Sequence, residues 1–306
     1  MHAPADRRLE WFETGPRAIV TARGADAIRF CDSFVTAALS RLGPAGATEA
    51  FMLDVKGTVL AHVHVFCIDG GLWIDSEGGP DAGRHLHAHL EHYLIREQVD
   101  LVDHSNDVRH MVLCGEAADS WARACLEPIE GVLIALLPWA KRPMMLAAIP
   151  AEHFQAVTGQ LEADGAIKLG SDSWRRLRIA HGIPSVEDIG DRSLPQEYGR
   201  DRVAIAFDKG CYLGQETVAR LDALGHVNRR LVRLVIERGG SLSPRTSCML
   251  DGSRVGVLGT VCTSPTESIQ NSSETWALAM LSVAAIRAPN GLSVDGSPAR
   301  IVPTIS

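Results

Sequence analysis

Eight consecutive residues, Lys209-Gly210-Cys211-Tyr212-Leu213-Gly214-Gln215-Glu216, hold most of the chemistry legible in this 306-residue chain. Cys211 sits between a cation and a possible helix N-terminus, and both features favour thiolate over thiol by lowering a cysteine pKa. Gly210 and Gly214 open backbone shapes closed to other residues and let a ligand come close. Tyr212 offers a flat ring with a hydroxyl. Gln215 and Glu216 can pair with ring nitrogens or amides. The set suits a pterin-like heterocycle. A Gly-Cys-Tyr turn can equally be a packed corner of a non-catalytic scaffold, with Cys211 buried and inert as free cysteines commonly are. Alkylation separates the two readings, since a thiolate labels fast at neutral pH and a sealed thiol hardly at all.

The other candidates are weaker. Cys31, Cys67, Cys114, Cys125, Cys248 and Cys262 are scattered without a C-x-x-C pair, so neither a disulfide framework nor zinc-ribbon or cluster-binding spacing is present. They read as small apolar residues in a reducing compartment. His62 and His64 share one face of a strand, and His85, His89 and His92 share one face of a helix. That spacing suits zinc, but no cysteine or carboxylate stands in clear register, so no metal is expected. Trp174 and Tyr198 are possible stacking platforms, with core packing the plainer role for each.

The elements that must position these residues follow from periodicity. A short strand at 18–21 precedes a helical pattern carried by Ile28, Phe30, Phe34, Val35 and Ala38 and stopped at Gly43-Pro44. Runs 50–55 and 59–68 form a hairpin turning at Lys56-Gly57, followed by Leu72-Trp73-Ile74 and an amphipathic helix over 81–97. Further strands are predicted at 101–102 and 108–114, and helices at 117–126 and 151–161, which makes an α+β protein. Beyond residue 229, strands at 231–236, 248–250, 254–262 and 275–281 are divided by Gly239-Gly240, Asp251-Gly252 and the polar stretch 263–274. They predict a small β barrel or sandwich. The boundary falls at 228–230, giving an α+β region of two subdomains over 1–229 and a barrel over 230–306.

Composition sets the outer limits. Hydrophobic residues make up 46% and charged residues 22%, as in ordinary globular proteins. The net charge of −7 repels phosphate backbones, and the basic runs Arg175-Arg176-Arg178 and Arg229-Arg230-Arg233 are short, so no direct nucleic-acid binding is expected. No apolar signal core or membrane-length stretch appears, which predicts a cytoplasmic protein with no membrane partner.

The eight-residue run resembles the K-G-C-Y-x-G-Q-E signature of the YgfZ/mitochondrial iron–sulfur assembly-factor family, within the folate-binding aminomethyltransferase superfamily. Arg178-Ile179-Ala180-His181-Gly182-Ile183-Pro184, Leu194-Pro195-Gln196-Glu197, Arg220 and Arg229-Arg230-Leu231 stand where that family places similar residues. Gly256-Val257-Leu258-Gly259-Thr260-Val261 is similar to its barrel, and Asp54-Val55-Lys56-Gly57 to its N-terminal hairpin. The resemblance implies an aminomethyltransferase-like folate-binding fold with domains around a central channel for tetrahydrofolate. It also implies a role in assembling or repairing iron–sulfur proteins, including tRNA-modifying enzymes, as clients.

On this resemblance Cys211 is the reactive group, and Lys209 holds the thiolate or the anionic side of the ligand. Gly210, Tyr212, Gly214, Gln215 and Glu216 shape the folate pocket, while Arg178 and Arg220 neutralise the folate's glutamate tail or bridge domains. One departure stands out: the family's F-L-x-x-x-x-T-N-D-like run is replaced by Phe30 to Thr36 leading into Ala37-Ala38. A folate-dependent one-carbon transferase is the alternative, but Ala61 and His62 stand where those enzymes carry an Asp pair, and alanine cannot steer a proton.

Overall fold

The computed structural model of this protein describes residues 9–140, 142–237, 242–262 and 274–305. They gather into two units, one of residues up to 32, 38–49 and 63–174, the other of 33–37, 50–62 and 175 onward. The expected turn at Gly239-Gly240 and most of the polar stretch 263–274 lie outside the described residues.

The first unit carries two sheets. One has the order β10-β1-β7-β9-β8, with β1 (Glu10–Glu13), β7 (Val108–Cys114), β8 (Leu133–Leu136), β9 (Met144–Pro150) and β10 (Ile167–Lys168). Successive side chains alternate faces, so Trp11, Met111, Leu113, Met145 and Ala147 point to one side. There they meet Ala118 and Ala122 of α3 (Ala118–Cys125) and Phe154, Val157 and Leu161 of α4 (Ala151–Ala163). The other sheet has the order β3-β4-β5-β2-β6, from β2 (Arg17–Arg23), β3 (Ala47–Leu53), β4 (Val59–Ile68), β5 (Gly71–Glu77) and β6 (Asp100–Asp103). The hairpin end of β3 and β4, residues 50–62, belongs to the second unit.

Helix α2 (Gly79–Glu91) buries Leu86 and Leu90 one turn apart, and Asp81 in its first turn complements the helix dipole. It ends six residues before the predicted 97. The Glu97 carboxylate accepts from the main-chain N–H of Ile95 and Arg96 at 3.1 and 3.0 Å, and Asp26 accepts from that of Gln98 at 2.9 Å. These bonds turn the chain instead of continuing the helix.

The helix predicted through Ala38 also stops early: α1 spans only Ala27–Asp32. Asp32 Oδ1 accepts from Leu39 N at 2.5 Å, and the β-branched pair Val35-Thr36 leaves the helix to bond across to 51–52. Val35 bridges Met52, Thr36 N donates to Phe51 O at 3.0 Å, and Phe51 N donates to Thr36 Oγ1 at 2.8 Å. Tertiary pairing overrides the helical spacing here.

In the second unit, α5 (Ser173–His181, from residue 175), α6 (Asp201–Ala204) and α7 (Gln215–Leu224) precede a closed barrel of order β11-β14-β13-β12-β15-β16. Its strands are β11 (Arg229–Ile236), β12 (Ser247–Leu250), β13 (Ser253–Cys262), β14 (Thr275–Ser282), β15 (Leu292–Val294) and β16 (Ser297–Val302), with α8 (Val283–Arg287) after β14. Leu234, Ile236, Leu258, Ala277, Ala279 and Leu281 fill it by period-two alternation. The α+β class and the C-terminal barrel are as expected. Closure depends on β15 and β16, which the sequence did not signal.

Candidate functional site

The Cys211 loop lies against residues 33–37. Ala206 N donates to Thr36 O at 2.9 Å and Leu213 N to Ser33 O at 2.9 Å. Lys209 Nζ donates to Val35 O at 3.0 Å and Ala37 O at 2.7 Å, and lies 5.2 Å from the centre of the Tyr212 ring. Segment 33–37 is itself fixed, since Thr36 Oγ1 donates to Ala204 O at 2.6 Å. The substituted run after Phe30 therefore serves the loop through main-chain carbonyls, which any side chain would leave in place. Lys209 works as a staple between two chain segments.

Tyr212 is buried in a core with Phe51, Leu53, Val59, Tyr198 and Val218. Burial pushes its hydroxyl pKa up to about 12. The ring expected to face a ligand is spent on packing.

Gly214 caps α7 in the left-handed region, with φ of 77°. A Cβ there would lie 2.6 Å from Asp54 O and 2.7 Å from Gly57 Cα, so the close approach it permits is that of the β3–β4 hairpin. The turn itself is built by Asp54 Oδ1, which accepts from Lys56 N and Thr58 N at 2.8 Å each. Thr217 Oγ1 donates to Lys56 O at 2.8 Å, locking turn to helix. Gly210 differs: a Cβ there would meet nothing within 4 Å, and its φ lies outside the left-handed region. Neither sterics nor backbone demands a glycine beside Cys211.

Cys211 is exposed, so a sealed thiol is not what the loop holds. It precedes the first residue of α7 by four positions, outside the first turn where the helix dipole acts. Glu216 and Arg220 are exposed one turn apart on α7. With Leu194, Thr217, Leu221 and His226 they line a cavity of about 330 Å³. Gln215 is half-buried. Helix α7 is held from beneath by Gln196, whose Nε2 donates to Val218 O at 2.8 Å.

Arg178 is buried away from that cavity. It lies 3.8 Å from Asp188 and donates to Ile183 O at 3.2 Å and Thr260 Oγ1 at 3.4 Å. Asp188 also accepts from Thr260 N at 2.7 Å and Ser185 N at 2.8 Å. A Cβ on Gly259 would fall 2.0 Å from Asp188 Oδ1, which accounts for the glycine before Thr260. Likewise Glu197 of the Leu-Pro-Gln-Glu turn accepts from Arg229 Nε at 2.8 Å. The motifs resembling a ligand site here hold α5 and the Glu197 turn to the barrel.

Of the histidines, His85 and His92 are exposed, and His89 and His92 meet the edge of Tyr93. His62 is buried 5.2 Å from the Phe51 ring. Among the described residues no group of three or more His, Cys, Asp or Glu side chains is placed to hold a metal.

The sequence reading missed a buried polar cluster in the first unit. Arg17 is fully buried, donates through Nε to Asp75 at 2.8 Å and pairs with Glu77. Its guanidinium lies 4.9 Å from the Trp174 ring centre, and Trp174 Nε1 donates to Glu77 at 2.6 Å. Trp139 Nε1 donates to His64 Nε2 at 2.8 Å. Burial raises the Asp75 pKa to about 6 against the pull of Arg17. Burial, then the Arg17 charge, lowers that of His110 to about 3. The available signal was charge inside apolar strands: Arg17 before Ala18-Ile19-Val20, and Asp75 after Leu72-Trp73-Ile74.

No family model matches the chain. It is 31% identical over 233 residues to the tRNA-modifying protein YgfZ of Klebsiella pneumoniae, covering 70% of this chain and 68% of that protein. It is 28% identical over 232 residues to the mitochondrial iron-sulfur cluster assembly factor IBA57 homolog of Pyricularia oryzae, covering 72% of this chain and 56% of that protein. Among solved structures, the glycine cleavage system aminomethyltransferase T from Bartonella henselae matches 91% of this chain and 80% of its own, with a TM-score of 0.75 at 16% identity. That last likeness carries the fold alone. The identity and mutual coverage with the Klebsiella protein, on an aminomethyltransferase-like fold, place this chain in the YgfZ family.

Proposed function

We propose that this protein binds a reduced folate and supports the assembly or repair of iron–sulfur proteins in the cytoplasm, with Cys211 as its reacting group. One observation carries the reading: an exposed thiol sits on a loop tied down on both sides by hydrogen bonds from Ala206, Lys209 and Leu213. A packed corner would bury its cysteine, and a floppy loop would not hold it. The names of the Klebsiella and Pyricularia relatives, a tRNA-modifying protein and an iron–sulfur assembly factor, support the cellular role.

The side chains left free for a ligand fit a folate in part. Glu216 has the acceptor oxygens for the amine and amide edge of a pterin, Arg220 the paired donors for a carboxylate tail, and Leu194 and Leu221 apolar walls. Gln215 adds a donor and an acceptor. Lys209, Tyr212, Gly214 and Arg178 act as positioning residues, and Gly210 leaves the thiol approachable. Bound folate supplies one-carbon carrying capacity. Cys211 acts as the nucleophile or ligand toward an iron–sulfur client.

Calorimetric titration with tetrahydrofolate tests the reading. Wild type and Cys211→Ala bind alike, within about twofold, and Arg220→Ala binds about tenfold more weakly. Iron–sulfur enzyme activity in cells falls with Cys211→Ala. No binding by wild type removes the folate, and full cellular activity with Cys211→Ala removes the thiol.

A further inference from the structure

We propose a second binding site, for inorganic hydrogen phosphate, in a cradle above Gly190 at the edge of the barrel. It is independent of the folate reading. A cavity of about 40 Å³ lies there, lined in part by Glu187, Asp188, Gly190, Arg229 and Arg245, the Asp188 carboxylate being already engaged by Arg178, Thr260 and Ser185. A water needs roughly 10–15 Å³ on this measure, so the space takes about three waters or one small tetrahedral ion, with no room for an attached ester.

Two guanidinium groups converge on it. A first side-chain carbon on Gly190 would lie 3.8 Å from Arg245 Nη1 and 3.9 Å from Arg229 Nη1. Each arginine is already fixed through other nitrogens. Arg245 Nη2 donates to Ile189 O at 3.0 Å, while Arg229 Nε donates to Glu197 at 2.8 Å and its Nη2 to Ser193 Oγ at 3.3 Å. Both Nη1 groups lack a protein acceptor among the described residues. Two preset donors flanking the space a glycine leaves are what an oxyanion needs.

The local charge balance agrees. Arg229 pairs with Glu197, Arg178 with Asp188 and Arg175 with Glu187, whereas Arg245 has no carboxylate partner among the described residues. Arg245 also sits at φ of 73°, a left-handed conformation that glycine adopts without strain and arginine does not. Keeping arginine in a strained turn points to use of its side chain.

Glu187 decides which anion. Its Oε1 lies 3.8 Å from Arg175, while its Oε2 is buried without a hydrogen-bond partner, and that unmet acceptor oxygen repels a fully ionised oxyanion. Hydrogen phosphate keeps a proton at neutral pH and can donate it to that oxygen, whereas sulfate cannot. No bond is made or broken.

Titrating the whole protein with phosphate or sulfate at fixed ionic strength, followed by calorimetry, tests the site. Wild type binds phosphate about tenfold tighter than sulfate or more, and Arg245→Gly weakens phosphate by about tenfold or more. Urea unfolding shows Arg245→Gly at least as stable as wild type, since the strain is gone. Arg245→Gln gives the same loss of binding with the strain retained. Glu187→Gln narrows the preference over sulfate. The site is refuted if wild type shows no saturable phosphate binding up to about 10 mM, if sulfate binds as well, or if both Arg245 variants bind like wild type.

Discussion

Two glycines of one motif do opposite work. Gly214 has a left-handed φ and faces Asp54 O and Gly57 Cα at 2.6 and 2.7 Å from where its Cβ would be, while Gly210 faces open space. Gly214→Ala is expected to cost about 2 kcal/mol or more, from the left-handed backbone and the backbone collision together. Gly210→Ala stays neutral or gains up to about 1 kcal/mol, because only the unfolded chain feels it. Urea midpoints of the two variants give the comparison.

Titration adds a second residue-scale test. Unfolded His110 takes a proton near 6.5, and the folded form only near 3. Its contribution is complete above 6.5 and is lost as pH falls toward 3, by about 1.4 kcal/mol per unit. Asp75 works in the other direction: its folded pKa of about 6 exceeds the ordinary 3.8, so its contribution grows as pH falls through that window. His110→Phe removes the first effect and leaves the second. Its urea midpoint should drop less than that of wild type between pH 7 and 5. An equal drop in both would mean His110 titrates normally. The sequence could not announce either group, because an ionisable letter looks the same whether it ends inside a sheet or in solvent.

At the scale of elements, the clamp around the Cys211 loop was the least legible part. Its letters are rare enough to identify the loop, but the acceptors are main-chain oxygens of Ser33, Val35, Thr36 and Ala37, which any residue supplies. For the same reason Lys209 and Arg178 read as ligand groups when the structure turns both inward. Barrel strands β11 to β14 were readable from alternation, whereas β15 is only three residues long and β16 carries no buried residue to mark an inward face.

The clamp predicts an order of thiol reactivity. With a maleimide at neutral pH the exposed Cys211 labels first, and Cys211→Ala loses the fast phase. Cys31, Cys114 and Cys248 are buried with pKa values pushed up to about 12, and stay protected until unfolding. Lys209→Met gives up two half-buried hydrogen bonds and is expected to lower stability, read from the urea midpoint, by up to about 1.5–3 kcal/mol for each bond because the donor is charged. Uniform labelling of all seven cysteines would contradict this picture.

For the whole molecule, the net charge of −7 leaves little long-range attraction for a nucleic-acid backbone. Chain order was a poor guide. The second unit draws on residues 33–37 and 50–62 as well as everything from 175 onward, an interleaving that no local composition shift marks. Its consequence falls on biosynthesis. The carbonyl oxygens of Val35 and Ala37 leave the ribosome 174 and 172 residues before the lysine that will occupy them. At about 5–20 residues per second that is a wait of roughly 10–30 s, during which Phe51, Leu53 and Val59 lack most of the apolar neighbours they will have. A fragment ending before residue 209 is therefore expected to leave that apolar set uncovered, and to aggregate more readily than the full chain when the two are compared by light scattering.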